Sequence, residues 1–188
     1  MVLGWHYDKR IYEKKRYKSA KTVIHTLVDV VSKNGNLLLN IPVKGNGTID
    51  DQEMAILEEI ATWMKVNAEC IFDTRPWKVF GEGPAISDSA PLTAQGFNEG
   101  KGKPFGAADM RFTVKGDILY AVVFGWPEDS IVTIKSLSDA NALRPQPVNK
   151  VELLGGDALR FQKSSDGLEV ILPENRPALT YAFVLKIS

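Results

Sequence analysis

Cysteine and histidine are nearly missing from this chain: Cys70 is the only thiol, and His6 and His25 are the only imidazoles in 188 residues. One thiol closes no intrachain disulfide and builds no multi-cysteine metal site, and Cys70 reads as a small hydrophobe rather than a nucleophile. His6 and His25 are too far apart, and too poorly supported by other ligands, to suggest a metal site. No cofactor is implied. An excess of one charge is also lacking. The 23 basic and 23 acidic side chains give a formal net charge of zero, which leaves no electrostatic footprint for nucleic acid. The basic run Lys9, Arg10, Lys14, Lys15, Arg16, Lys18 and Lys21, broken by Asp8 and Glu13, reads as a solvated face. No apolar run reaches the length of a membrane span, and the first twenty residues hold no apolar core of a signal peptide. That second reading concerns Met1 only and leaves the compartment open. Internal repeats and low-complexity segments are missing too.

What is present begins at Asn34-Gly35-Asn36-Leu37-Leu38-Leu39-Asn40-Ile41-Pro42. Its apolar run, Leu37 to Ile41, is closed by turn residues on both sides and predicts a strand buried on both faces, as in a parallel sheet covered by helices. Before it, Ala20, Val23, Ile24, Leu27, Val30 and Val31 recur at helical spacing. Ser19 as N-cap and Lys33-Asn34-Gly35 as the stop bound a helix over 19–33. After it, the turn cluster Lys44-Gly45-Asn46-Gly47 leads to Asp50 and Glu53, a capping-box-like start. Met54, Leu57, Ile60, Ala61 and Met64 form the stripe of a second helix over 51–66, with Asn67 as its left-handed end. Residues 1–18 show no period and read as a short extended piece followed by loop.

Beyond a glycine- and proline-rich stretch the period becomes two. Met110, Phe112 and Val114 alternate with Arg111, Thr113 and Lys115, and Val132/Ile134 and Leu159/Phe161 alternate likewise. Leu119–Trp126 is apolar on both faces and should be a central strand. Tyr181, Phe183, Leu185 and Ile187 should point inward from a closing strand. Lys115-Gly116-Asp117 and Ser165-Asp166-Gly167 are hairpin turns. With 150–154 and 168–172, about seven or eight short strands predict a β-sandwich.

These residues carry a resemblance. Leu27–Ile41, Gly47-Thr48-Ile49 and Thr74-Arg75-Pro76-Trp77 resemble the end of the catalytic domain of the α-L-fucosidases of glycoside hydrolase family 29. Phe112–Gly116, Leu119-Tyr120-Ala121, Gly125-Trp126-Pro127 and Tyr181–Ile187 resemble that family's carboxy-terminal sandwich. The resemblance implies an α+β chain in two parts. Residues 1–77 are the remnant of a (β/α)8-like barrel, with two helices and one or two strands; 78–108 are an irregular connection; 109–188 are an all-β antiparallel sandwich. A complete barrel takes roughly 250 residues, so most of it lies outside this chain.

The implied activity is retaining hydrolysis of terminal α-L-fucose, with a fucosylated glycan as the partner of the parent enzyme. That chemistry needs two carboxyl groups about 5 Å apart. In the family the nucleophile is an aspartate on a middle barrel strand, and histidines from early strands hold the sugar hydroxyls. Nothing in residues 1–75 corresponds to either, and no residue takes the acid/base role, so this chain has no catalytic residue and is expected to be inactive alone. Asp29, Asp50, Asp51, Glu53, Glu58 and Glu59 have structural readings as helix-start or flanking charges. Gly4-Trp5-His6-Tyr7 resembles the Trp-Gly-Tyr segment near the end of the seventh barrel strand, with His6 where glycine is usual. The resemblance implies that Trp5 lines the fucose pocket once a complete barrel surrounds it. Asn36 and Asn40 bracket the buried strand and read as turn and backbone hydrogen-bonding residues, while Arg75 and Trp77 read as docking the sandwich on the barrel. The alternative is a carbohydrate-binding or docking sandwich module, motivated by Tyr120, Phe124 and Trp126. The exposed barrel remnant also favours self-association.

Overall fold

The computed structural model describes residues 5–86, 104–141, 143–144, 146–178 and 181–188. Helices come first: α1 (Lys9–Glu13), α2 (Ala20–Ser32) and α3 (Asp51–Asn67). Among the described residues eight strands follow, β1 (Arg75–Glu82), β2 (Met110–Lys115), β3 (Ile118–Val123), β4 (Ile131–Ile134), β5 (Val151–Leu153), β6 (Arg160–Lys163), β7 (Leu168–Ile171) and β8 (Phe183–Ile187). Every strand pairing is antiparallel, and the strands form a five-stranded sheet in the order β1-β2-β3-β8-β5 and a three-stranded sheet in the order β4-β7-β6. The two-part α+β architecture with an antiparallel sandwich is as the sequence predicts.

The two long helices start where their caps dictate. The Ser19 hydroxyl accepts from the Thr22 amide, the Asp50 carboxylate accepts from the Glu53 amide, and Asn34 takes the left-handed conformation (φ 64°) just past α2. Asn67 does not end α3 in that conformation. Its φ is −111°, the chain tightens into a 3₁₀ turn over Ala68–Cys70, and its side-chain amide donates back to the Trp63 carbonyl. Helix α1 also departs from the loop expected over 1–18. Asp8 caps its first turn through the Arg10 amide, and a five-residue helix is too short to display a period.

Two apolar clusters explain why β3 and β8 are hydrophobic on both faces. On one face of the large sheet, Phe112, Leu119, Ala121, Val123, Phe183, Leu185 and Ile187 meet Val132, Ile134, Leu168 and Val170 of the small sheet. On the other, Tyr120, Val122, Phe124 and Val184 meet Ile24 and Val28 of α2, Trp63 of α3, and Cys70. The molecule is therefore three layers, helices over a five-stranded sheet over a three-stranded sheet, with the middle sheet covered twice. Each large side chain buried there contributes on the order of 1.5–3 kcal/mol. The helical layer also corrects the strand pattern. Arg111 and Thr113, expected outward on β2, face the helices and are buried, Arg111 at 2% exposure.

Strand β1 crosses residue 77, where the sequence placed the end of the barrel part, and pairs with β2 across an irregular register between Pro76 and Gly81. A side chain at Gly81 would sit 2.3 Å from the Met110 carbonyl oxygen, so that approach requires glycine. Trp77 packs edge-on against Phe112, centroids 5.2 Å apart, and so belongs to the sandwich core rather than to a dock with the helices. Most of the connection expected over 78–108 lies outside the described residues.

The largest departure is at 37–41. This stretch has no regular secondary structure, among the described residues no strand pairs with it, and Leu38 is 79% exposed and Val43 50%. Among the described residues the expected buried strand is not formed. Its sequence is patterned for neighbouring strands on both sides, and the described strands β1 to β8 pair with one another in the two sheets that follow. The one or two strands expected in the helical part are likewise not found there among the described residues, since the first strand, β1, joins the sandwich sheet.

Candidate functional site

Trp5, the one residue assigned to substrate, lies at the start of the described chain and is 62% exposed. Its carbonyl accepts from the Asn40 side-chain amide at 3.3 Å, so the two segments read as flanking one end of a barrel do meet. Asn40 thus takes the backbone-bonding role expected of it. Asn36 is exposed. An aromatic ring this open stacks on a sugar only when other walls complete a pocket.

Beneath this segment, residues 7–18 fold onto the start of α3 through phenols and carboxylates. The Tyr17 hydroxyl donates to the buried carboxylate of Asp50, whose other oxygen caps Glu53, and the Gln52 side chain donates to the Tyr12 carbonyl. Burial, then the bond to Asp50, pushes the Tyr17 hydroxyl far above its usual range. The bond to Asp51 raises Tyr12, and desolvation with the Asp50 charge raises Tyr7. All three phenols therefore stay protonated at neutral pH. This is structural chemistry: it fastens the neck of the chain to a helix start where negative charge is favourable. Sequence reading found Asp50 but not its tyrosine partner, because the contact spans 33 residues.

The remaining polar groups bind the helices to the sheet. Asp29, read as a hydrogen-bond acceptor on α2, takes Arg111 Nε at 2.6 Å on one oxygen and Lys33 Nζ at 2.8 Å on the other. The Arg111 guanidinium lies among the rings of Phe105, Phe80 and Phe124, at 4.7, 5.4 and 5.7 Å. The Trp63 indole donates to the Ala182 carbonyl at 2.8 Å, and Thr113 donates to the Cys70 carbonyl at 2.7 Å. Glu69 accepts at one oxygen from both Tyr120 and Lys186, each at 2.5 Å, which holds its carboxyl below the usual range. Glu58 and Glu59 are exposed on α3. Cys70 is fully buried and its thiol is pushed up by burial, as suits a packing residue.

His25 is buried on α2, with Nε2 at 2.6 Å from the Tyr181 carbonyl and the ring 4.6 Å from Phe124. Burial is the main cause lowering its pKa from 6.5, with Lys21 also lowering it, and with the Tyr181 bond and Asp109 opposing. The folded state thus favours the neutral ring. The unfolded chain takes up the proton first, so His25 contributes full stability above pH 6.5, lost as pH falls through the lower folded value. Urea midpoints are expected to drop between pH 7.5 and 5.5 in the wild type and to drop less in His25→Gln.

A shallow groove of about 100 Å³ lies between α3 and the chain entering β8, lined by Thr62, Trp63, Val66, Asn67, Pro177 and Phe183, with no carboxylate. Among the described residues no three histidine, cysteine, aspartate or glutamate side chains are grouped to hold a metal ion. No helix among them is long and apolar enough to cross a membrane.

Comparison with known proteins matches two stretches of the chain. The sequence profile described as "Alpha-L-fucosidase" matches residues 1–69, and that described as "Alpha-L-fucosidase C-terminal domain" matches 104–188. A Dictyostelium discoideum α-L-fucosidase is 30% identical over 184 residues, covering 95% of this chain and 32% of its own length. The mouse tissue α-L-fucosidase is 29% identical over 171 residues, 88% of this chain and 32% of that protein. Among solved structures, a Thermotoga maritima α-L-fucosynthase in complex with alpha-L-Fuc-(1-2)-beta-L-Fuc-N3 superimposes with a TM-score of 0.67 at 25% identity, over 93% of this chain and 34% of the other. The chain spans about a third of the length of the relatives it matches.

Proposed function

We propose, on the premise that this chain belongs to the α-L-fucosidases of glycoside hydrolase family 29 and corresponds to their carboxy-terminal portion, that it supplies the closing end of the catalytic barrel and the sandwich of a retaining fucosidase. The reaction is release of terminal α-L-fucose from a fucosylated glycan, and this chain alone does not perform it. The observation that supports the reading is the engagement of its carboxylates. Asp50 caps α3, Asp29 and Glu69 tie helices to the sheet, and Asp109 accepts from the Ala85 and Gly106 amides, so none of these four is poised beside a sugar site. Retaining hydrolysis requires two carboxyl groups about 5 Å apart across one bond. Within the assembled enzyme, Trp5 lines the pocket and Asn40 positions its backbone.

Purified chain incubated with an aryl α-L-fucoside is expected to release no aryl alcohol above the blank. Turnover that survives repurification would overturn the reading. The carbohydrate-binding alternative has less support, because Tyr120 and Phe124 are buried and Trp126 is half-covered by Phe183 and Arg176. Calorimetric titration with fucosylated glycans is expected to give flat heats. Leu38, Val43 and Met54 also give the isolated chain apolar surface through which copies could meet.

A further inference from the structure

The basic run over 8–21 stands out in a chain with no net charge. Seven cations and two acids give it a net charge of +5, which leaves the remaining residues at −5. Its two acids are already taken: Arg10 pairs with Asp8 at 2.8 Å and Lys9 with Glu13 at 3.4 Å. The carboxylates at the start of α3, which the run folds against, are met by phenols instead. Tyr17 donates to Asp50, and Tyr12 bonds Asp51. Lys18 is half-buried and engaged. Lys14, Lys15, Arg16 and Lys21 are exposed, and among the described residues no ion pair neutralises them.

These cations are not on a loose tail. Lys15 takes the left-handed conformation (φ 49°), the Arg16 amide donates to the Ile11 carbonyl at 3.0 Å, and the Gln52 side chain holds the Tyr12 carbonyl at 3.1 Å. Like charges held together repel one another, so a ligand carrying several acidic groups gains from all of them at once. The run follows directly on Trp5, whose carbonyl Asn40 holds at 3.3 Å and whose ring lines the sugar pocket on the reading above. On that reading the run leaves a barrel strand on the face where substrate sits. We propose that Lys14, Lys15, Arg16 and Lys21 form a cationic rim at the mouth of that pocket and take the acidic groups, sulfate or carboxylate, of an anionic fucosylated glycan. This rests on the fucosidase reading and narrows its substrate class. Two other polyanions fit less well. A nucleic-acid duplex extends past the rim onto a surface whose net charge is negative, and α1, with five residues, is too short for an amphipathic face that seats in a lipid surface. A short glycan spans the rim alone.

The test is calorimetric titration of the full chain with a sulfated fuco-oligosaccharide and with the same sugar after desulfation. The sulfated sugar is expected to bind at about 50 mM salt and at least tenfold more weakly at about 300 mM, because screening reaches exposed charges first. The desulfated sugar should give the flat heats expected above of uncharged fucosylated glycans. Replacing Lys14, Lys15 and Arg16 together by glutamine should weaken binding at least tenfold without moving the melting temperature, because all three side chains are exposed. The same replacement of Lys78, Lys150 and Lys163, exposed cations of the sandwich, removes as much charge and should leave the affinity unchanged. No heat from the sulfated sugar, equal heats after desulfation, an unweakened rim variant or a sandwich variant that loses as much would overturn the proposal. So would tighter binding of phosphatidylserine vesicles or of a DNA duplex, which would assign the rim to another class of partner. Hydrolysis of an aryl α-L-fucoside by the chain alone is a separate result, which would overturn the reading above while sulfate-dependent binding still upheld the rim.

Discussion

Trp63→Ala is expected to destabilise the chain by about 3–5 kcal/mol, the range for truncating a fully buried large aromatic. Trp63 is buried between α3 and the middle sheet, and its indole nitrogen donates to the Ala182 carbonyl at the entrance to β8. Alanine removes the packing and leaves a buried carbonyl without its donor, and the second loss adds to the first. Trp63→Phe keeps most of the volume and loses only the hydrogen bond, so its cost should be about 1–3 kcal/mol. Urea unfolding followed by circular dichroism measures both. If Trp63→Ala unfolded within about 1 kcal/mol of the wild type, α3 would not be seated on the sheet as described.

The second large effect is expected at Asp29. Replacing it with alanine leaves the Arg111 guanidinium buried with no carboxylate, and breaking a buried pair from one side costs about 3–5 kcal/mol. The aromatic rings around Arg111 and the partial exposure of Asp29 place the expected value near the lower end, about 3 kcal/mol. Arg111→Leu in the same chain removes the stranded charge, so the double variant should be more stable than Asp29→Ala alone. A double-mutant cycle reads the coupling directly. Costs that simply add would mean that the two side chains do not interact in solution.

How legible these features were in the sequence depended on range. The caps Ser19 and Asp50, the left-handed Asn34 and the hairpins at Gly116 and Gly167 are decided within four residues, and each falls where the pattern placed it. The double apolar face of Leu119–Trp126 likewise marked a central strand, and the structure covers that strand on both sides. The identity of the covering layer was not legible, because the α2 and α3 contacts with β3 and β8 join residues far apart in sequence, 119 positions for Trp63 and Ala182. For the same reason Arg111 looked like a solvent-facing member of an alternating strand. Residues 37–41 failed in an instructive way. Their pattern specifies neighbours on both sides, and the described strands are engaged in the sandwich. The sequence read Trp5 as pocket-lining by resemblance and Asn40 as a backbone-bonding residue, and the contact between them came only with the fold.

The account turns on one claim: the helices are docked firmly on the sandwich. Amide exchange on the isolated chain measures it directly. Protection in α2 and α3 is expected to match that of β3 and β8, because Trp63, His25 and Asp29 bind the layers into one unit. Helices that exchange rapidly while the sandwich stays protected would contradict it.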